Sequence, residues 1–169
     1  MLASSDEGWS VPVKGLQVRV GAPSGTHKIK DRVELTLRFR NAAKEPVRIY
    51  LIISEPFRAF QSSLWAWDRK GGLVSSQPEL HPHGYVVTEK DFHLIEPGRE
   101  LAFQQTLSLA GSAPGGDLVV EWRYSNTVER WEGGVMTLDG PTKPLFGGGR
   151  IPCIWTGQIA ARARLQVAP

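Results

Sequence analysis

From Val33 to Ile53 the chain alternates. Val33, Leu35, Leu37 and Phe39 occupy every second position, with Glu34, Thr36, Arg38 and Arg40 between them. After the polar stretch NAAKEP, Val47, Ile49, Leu51 and Ile53 repeat the pattern against Arg48, Tyr50 and Ile52. Successive side chains of a strand point to opposite faces, so each run reads as a strand with one dry and one wet side. Asn41 suits the start of a turn, and Pro46 stops the first strand from continuing.

The same period recurs elsewhere. LQVRV places Leu16, Val18 and Val20 on one face. SSLWAWDRKGGLVSS reads as a hairpin turning at Asp68, Gly71 and Gly72. Its Leu64 and Ala66 make a weak stripe, so Trp65 and Trp67 are expected to be the inward pair. In FHLIEPGRELAFQQTLSL, Pro97 and Gly98 fit the second and third places of a type II turn. The strand after it carries Leu101, Phe103, Leu107 and Leu109 on one face, interrupted by Gln105. That glutamine is expected to find a hydrogen-bond partner or to border an opening.

Two more strands follow. DLVVEWRYSN turns Leu118, Val120, Trp122 and Tyr124 inward, with Glu121 and Arg123 outward. QIAARARLQV sets Ala161, Ala163, Leu165 and Val167 against Arg162, Arg164 and Gln166. The small alanines call for a bulky neighbour, Trp122 or Trp155, because protein interiors are close-packed. Helical periodicity is nearly absent; short helical turns are expected only near Ser54–Phe60 and Thr88–Phe92. The pattern predicts an all-β fold, an antiparallel sandwich of seven to nine strands forming one domain over 1–169. Residues 1–10 read as a flexible N-terminal segment and 139–150 as an exposed loop.

Composition narrows the picture. The chain has 169 residues, enough to bury roughly 70% of its unfolded surface around one core. The net charge is +3, from 20 basic and 17 acidic residues. No run of five Lys or Arg concentrates it, so a nucleic-acid partner is not expected. Cys153 is the one cysteine; it cannot close an internal disulfide, and its setting in RIPCIW reads as a small buried hydrophobe. No apolar run reaches the length of a membrane span. MLASSDEGWS lacks the basic and apolar regions of a signal peptide, which fits a cytoplasmic chain or a domain of a longer secreted protein.

Candidate chemistry is sparse. No G-x-S-x-G, H-E-x-x-H or phosphate-loop pattern occurs, so the chain is expected not to be an enzyme and to use no cofactor. His81 and His83 form an H-x-H pair with His93 downstream. These three are the candidate metal ligands, although Pro82 and the surrounding turn residues also fit plain loop histidines. Trp131, in VERWEGG, is expected to be the exposed tryptophan, able to stack on a sugar ring. Trp122 and Trp155 are expected in the core. Arg38, Arg40, Arg48, Arg162 and Arg164 lie on outward strand positions. They form one partner-binding stripe if their strands share a sheet, and scattered solvated faces if they do not.

The pieces GLQVRV, VELTLRFRNAAKEPVRI, LWAWDRKGG, LIEPGRELAF, GGDLVVEWRYSN and WTGQIAARARLQV, taken in order, resemble bacterial immunoglobulin-like domains. That group includes the intracellular proteinase inhibitor family and uncharacterised modules attached to larger extracytoplasmic proteins. The resemblance implies an immunoglobulin-like sandwich acting as a non-catalytic accessory module, presenting loops and a sheet face to a protein partner. Its alternatives are a protease inhibitor acting through an exposed loop and a glycan-binding module around Trp131.

Overall fold

The computed structural model describes residues 8–28, 31–54, 58–59, 61–79, 85–109, 115–131, 136–137, 140–141 and 144–168. Its principal strands are β1 (Leu16–Gly21), β2 (Thr26–His27), β3 (Arg32–Asn41), β4 (Val47–Tyr50) and β5 (Ser62–Trp67). They continue with β6 (Leu73–Gln77), β7 (Phe92–Ile95), β8 (Glu100–Ser108), β9 (Gly116–Asn126) and β10 (Gly157–Val167). One sheet has the order β1-β3-β8, a second β2-β10-β9-β5-β6, and β4 pairs with β7. These pairings are antiparallel except that of β2 with β10. The fold is therefore all-β and largely antiparallel, as the alternation predicts. No described helix is long and apolar enough to cross a membrane.

The two larger sheets share one core. Leu35, Leu37 and Phe39 of β3 and Leu107 of β8 meet Leu64, Val120, Trp122 and Leu165 from the facing sheet. Each such side chain contributes about 1.5–3 kcal/mol when fully buried. Phe39 is the hub: its ring stands edge-on to Trp122 at 5.0 Å and to Tyr124 at 4.9 Å between centroids. Ala161 is the cross-strand partner of Trp122, so the small residue and the large one sit side by side. Gln105 is buried, accepting from Ser62 Oγ at 3.3 Å and donating to Gln77 Oε1 at 3.2 Å.

The β5–β6 hairpin turns where expected. Asp68 Oδ1 accepts from the backbone N–H of Lys70 and Gly72. Its inward face is the reverse of the expectation, however. Leu64 and Ala66 are fully buried, and Trp65 and Trp67 are half-exposed on the outer surface. Register decides this: Leu64 pairs with inward Trp122, and Trp65 pairs with outward Glu121. A strand cannot turn both sets inward.

Tyr124 joins the layers. Its hydroxyl donates to the Tyr50 carbonyl at 2.8 Å and accepts from the Tyr50 N–H at 3.1 Å. Burial holds the Tyr124 hydroxyl above the ordinary tyrosine range. Burial, and then the charge of Asp91, push Tyr50 up to about 12. Tyr124→Phe strands the Tyr50 N–H, and urea denaturation should show a loss of about 1–3 kcal/mol with an unchanged slope.

A second apolar cluster of Tyr50, Ile52, Phe92 and Ile151 lies under β4 and β7. Leu145 and Phe146 pack half-buried against it, so this part of 139–150 is not the exposed loop expected; residues 138–139 and 142–143 lie outside the described residues. The helical turn near Thr88–Phe92 is present as a 3-10 turn over Glu89–Asp91. Of the other expected turn, residues 55–57 and 60 lie outside the described residues, and Ile53–Ser54 on one side pairs as strand with Arg58–Ala59 on the other. Cys153 is exposed, at φ 58°. Its neighbours Ile151 and Ile154 turn into the second cluster, while the tight turn carries Cys153 itself out to solvent.

Candidate ligand groove

The outer face of the five-stranded sheet carries a polar row across three strands. Glu121 on β9 pairs with Trp65 on one side and Arg162 on the other. Arg123 lies two residues along, paired with Ser63 and Ala160. Ser125 follows, paired with Gln158. The period of two that buries Trp122 and Tyr124 sends these residues to the opposite surface.

Glu121 points outward yet is only 2% exposed. One carboxylate oxygen accepts from Arg123 Nε and the other from Arg162 Nε. The two arginine side chains cover it and remain 54% and 56% exposed. The Arg123 guanidinium also lies over the Trp65 ring, 5.9 Å from its centroid, and Trp65 stacks on Trp67 at 6.2 Å. The result is a guanidinium pair clamped on one carboxylate, with an aromatic stack along one flank.

A wall rises beside this floor. Residues 8–13 run along β1, with Ser10 N donating to Val18 O at 2.8 Å. The Trp155 indole donates to Val13 O at 2.8 Å. Trp9 is 4% exposed, so Gly8 to Ser10, expected to belong to a flexible segment, are held against the body. Between wall and floor lies a groove of about 590 Å³. Glu79 lines its far end, where Glu79 Oε2 accepts from Ser125 Oγ at 2.8 Å. The groove thus offers guanidinium donors near Glu121, a carboxylate acceptor at Glu79, and apolar surface from Val11 and Ile159.

The residues singled out in the sequence fall in several places. Arg162 lines this groove, and Arg164 follows it on the same strand face. Arg38 and Arg40 lie on β3 in the other sheet; Arg38 pairs with Glu100 at 3.4 Å and Arg40 lies over Trp9. Arg48 reaches the carbonyls of Pro152 and Phe92 and covers the Phe146 ring. The five arginines therefore form no single stripe. Trp131 is half-buried, edge-on to Tyr50 and Phe92 at 5.9 Å each; it caps the second apolar cluster instead of standing in solvent. His81 and His83 lie outside the described residues, and a ring nitrogen of His93 is 3.0 Å from Leu51 O. Among the described residues no three His, Cys, Asp or Glu come together as a metal site.

Sequence reasoning missed Glu121, Arg123 and Trp9 as members of one site. The outward alternation E-W-R-Y-S was legible, but the partner row on β10 depended on strand order. No family model and no curated protein matches the chain. Among solved structures it is similar to AvmM, which catalyses macrocyclization in alchivemycin A biosynthesis. That likeness covers 100% of this chain and 97% of the other, at 11% identity and a TM-score of 0.41.

Proposed function

We propose that this chain is a non-catalytic, immunoglobulin-like binding module that takes a polar ligand in the groove on the outer face of its five-stranded sheet. The observation that carries the proposal is the groove itself: about 590 Å³, floored by three paired strands, with two half-exposed guanidiniums set by a buried carboxylate. Ligand sites commonly have volumes of roughly 300–1,000 Å³ and a few convergent polar groups. Sites on sheet strands hold their side chains more firmly than sites on loops. Both carboxylate oxygens of Glu121 are occupied by arginines, which suits it to positioning donors.

The test is nuclear magnetic resonance titration of the whole chain with a panel of oligosaccharides, short peptides and nucleotides. Binding should move the amide signals of Ser63, Arg123, Ser125 and Gln158 together and leave those of β3 in place. Shifts confined to the β4–β7 end, or none with any member of the panel, would remove the groove from consideration.

A second reading is supported by strand β6. It is an edge of the five-stranded sheet, and its Leu73 is 57% exposed. An extended segment of a protein partner would add there by main-chain hydrogen bonds. In that case the same titration would move Leu73 to Ser76 first.

A further inference from the structure

We infer that the ligand of this groove is an acidic saccharide whose sugar carboxylate is held by Arg123 and Arg162, an inference that rests on the binding role proposed for the groove. Two guanidiniums face one carboxylate at the floor, so one positive charge is left over there. Each arginine engages Glu121 through Nε. That leaves the Nη groups of both as donors, on side chains more than half exposed. Paired guanidinium N–H groups match the two oxygens of a carboxylate in spacing and plane.

The rest of the lining restricts what carries that carboxylate. Glu79 stands at the other end and repels a ligand that is anionic throughout, such as a nucleotide or a polyacidic peptide. Its free acceptor capacity suits hydroxyl donors. Ser63, whose hydroxyl oxygen accepts from the Trp65 indole, and Gln158 supply neutral donors and acceptors for sugar hydroxyls, while Ser125 Oγ, which donates to Glu79, keeps acceptor capacity. Val11, Val13 and Ile159 give the apolar surface that the C–H face of a sugar covers. One carboxylate, several hydroxyls and an apolar ring face describe a uronic acid unit. Arg123 is held for this task from two sides, by Glu121 and by the Trp65 ring. That stacking ties ligand binding to the emission of Trp65.

The experiment is calorimetric titration of the whole chain with a galactose trisaccharide in which one terminal unit is galacturonic acid, the matching all-galactose trisaccharide and a triglutamate peptide, alongside tryptophan fluorescence. The uronate should bind at least about tenfold more tightly than the neutral sugar and change the emission. Arg162→Gln and Arg123→Gln should each weaken it by about tenfold or more, the cost of losing a charge-assisted hydrogen bond. Arg32→Gln, an exposed position at the start of β3, should leave it unchanged. Should either groove variant fail to fold, the wild-type affinity for the uronate must still fall as salt rises, because the contact is ionic and partly exposed. Equal binding of the neutral and acidic sugars overturns the inference, as does tighter binding of the peptide; in both cases shifts at Ser63 and Ser125 keep the groove as the binding site. No binding by any of the three also overturns it, and the broader panel then decides the groove by itself.

Discussion

Phe39→Ala is expected to remove about 3–5 kcal/mol of folding stability, the range for deleting a fully buried phenylalanine. Phe39 has no exposed surface. Its ring touches Trp122 and Tyr124 edge-on and lies 6.1 Å from Phe103. Those three neighbours come from β9 and β8, so the cavity opens at the place where the two sheets meet. Neither sheet can close it without shifting the other, because the partners are held in register by their own ladders. A native domain has roughly 5–15 kcal/mol in hand, so the variant is expected to lie close to its unfolding threshold at 25 °C. Guanidinium denaturation checks this: the midpoint should fall sharply while the slope stays as in the wild type. Phe39→Leu should lose markedly less, since most of the volume remains. A Phe39→Ala midpoint close to wild type would show that this aromatic contact is not the hub of the core.

Asn41→Leu is expected to cost about 3 kcal/mol or more, although it adds apolar bulk to a buried position. The Asn41 side-chain amide donates to Glu45 O and Ile95 O, both at 2.8 Å, and its oxygen accepts from Ala43 N at 2.8 Å. Leucine fills the same space and leaves the buried Ile95 carbonyl, and the part-buried Glu45 carbonyl and Ala43 N–H, without this partner; a stranded buried group costs about 1–3 kcal/mol. Asn126 makes the corresponding bonds at the end of β9, to Trp155 O at 2.7 Å and with Val128 N at 2.9 Å. Asn126→Leu should therefore behave alike. Asn41→Asp separates the contributions. It keeps the acceptor for Ala43 N and sets a carboxylate against two carbonyl oxygens. Its deficit should be large at neutral pH and shrink as pH falls and the new carboxyl takes up a proton that it can donate. Thermal melts across pH 4 to 8 read this directly; a deficit independent of pH would mean that the amide donors carry little.

Asn41 also shows where sequence reading stops. The stretch NAAKEP identified it as a turn residue, and its bond to Ala43 N is that local role. Its bond to Ile95 O crosses 54 positions, and nothing local announces it. Gln105 was legible in the same partial way: a glutamine on an apolar face demands a partner, but Ser62 and Gln77 come from strands of the other sheet. The weak stripe of Leu64 and Ala66 predicts that Trp65 and Trp67 of β5 face inward, and the structure reverses this. Cross-strand register sent Trp65 and Trp67 outward and left the smaller Leu64 and Ala66 to fill the space beside Trp122. Cys153 was misread for a related reason. Apolar neighbours in sequence do not bury a residue when a tight turn with positive φ rotates it outward.

The period of two along β3, β8, β9 and β10 determined by itself that this chain is built of one-sided strands, which residues form the core, and where most turns fall. It did so because alternation is a local consequence of strand geometry. Only the tertiary structure decided which strands lie side by side, and with that the groove. Arg123 and Arg162 share Glu121 because β9 and β10 are neighbours in one register, while Arg38 and Arg40, equally outward in sequence, lie on the other sheet. Strand order depends on contacts between residues far apart in the chain, and no window of sequence contains both ends of such a contact.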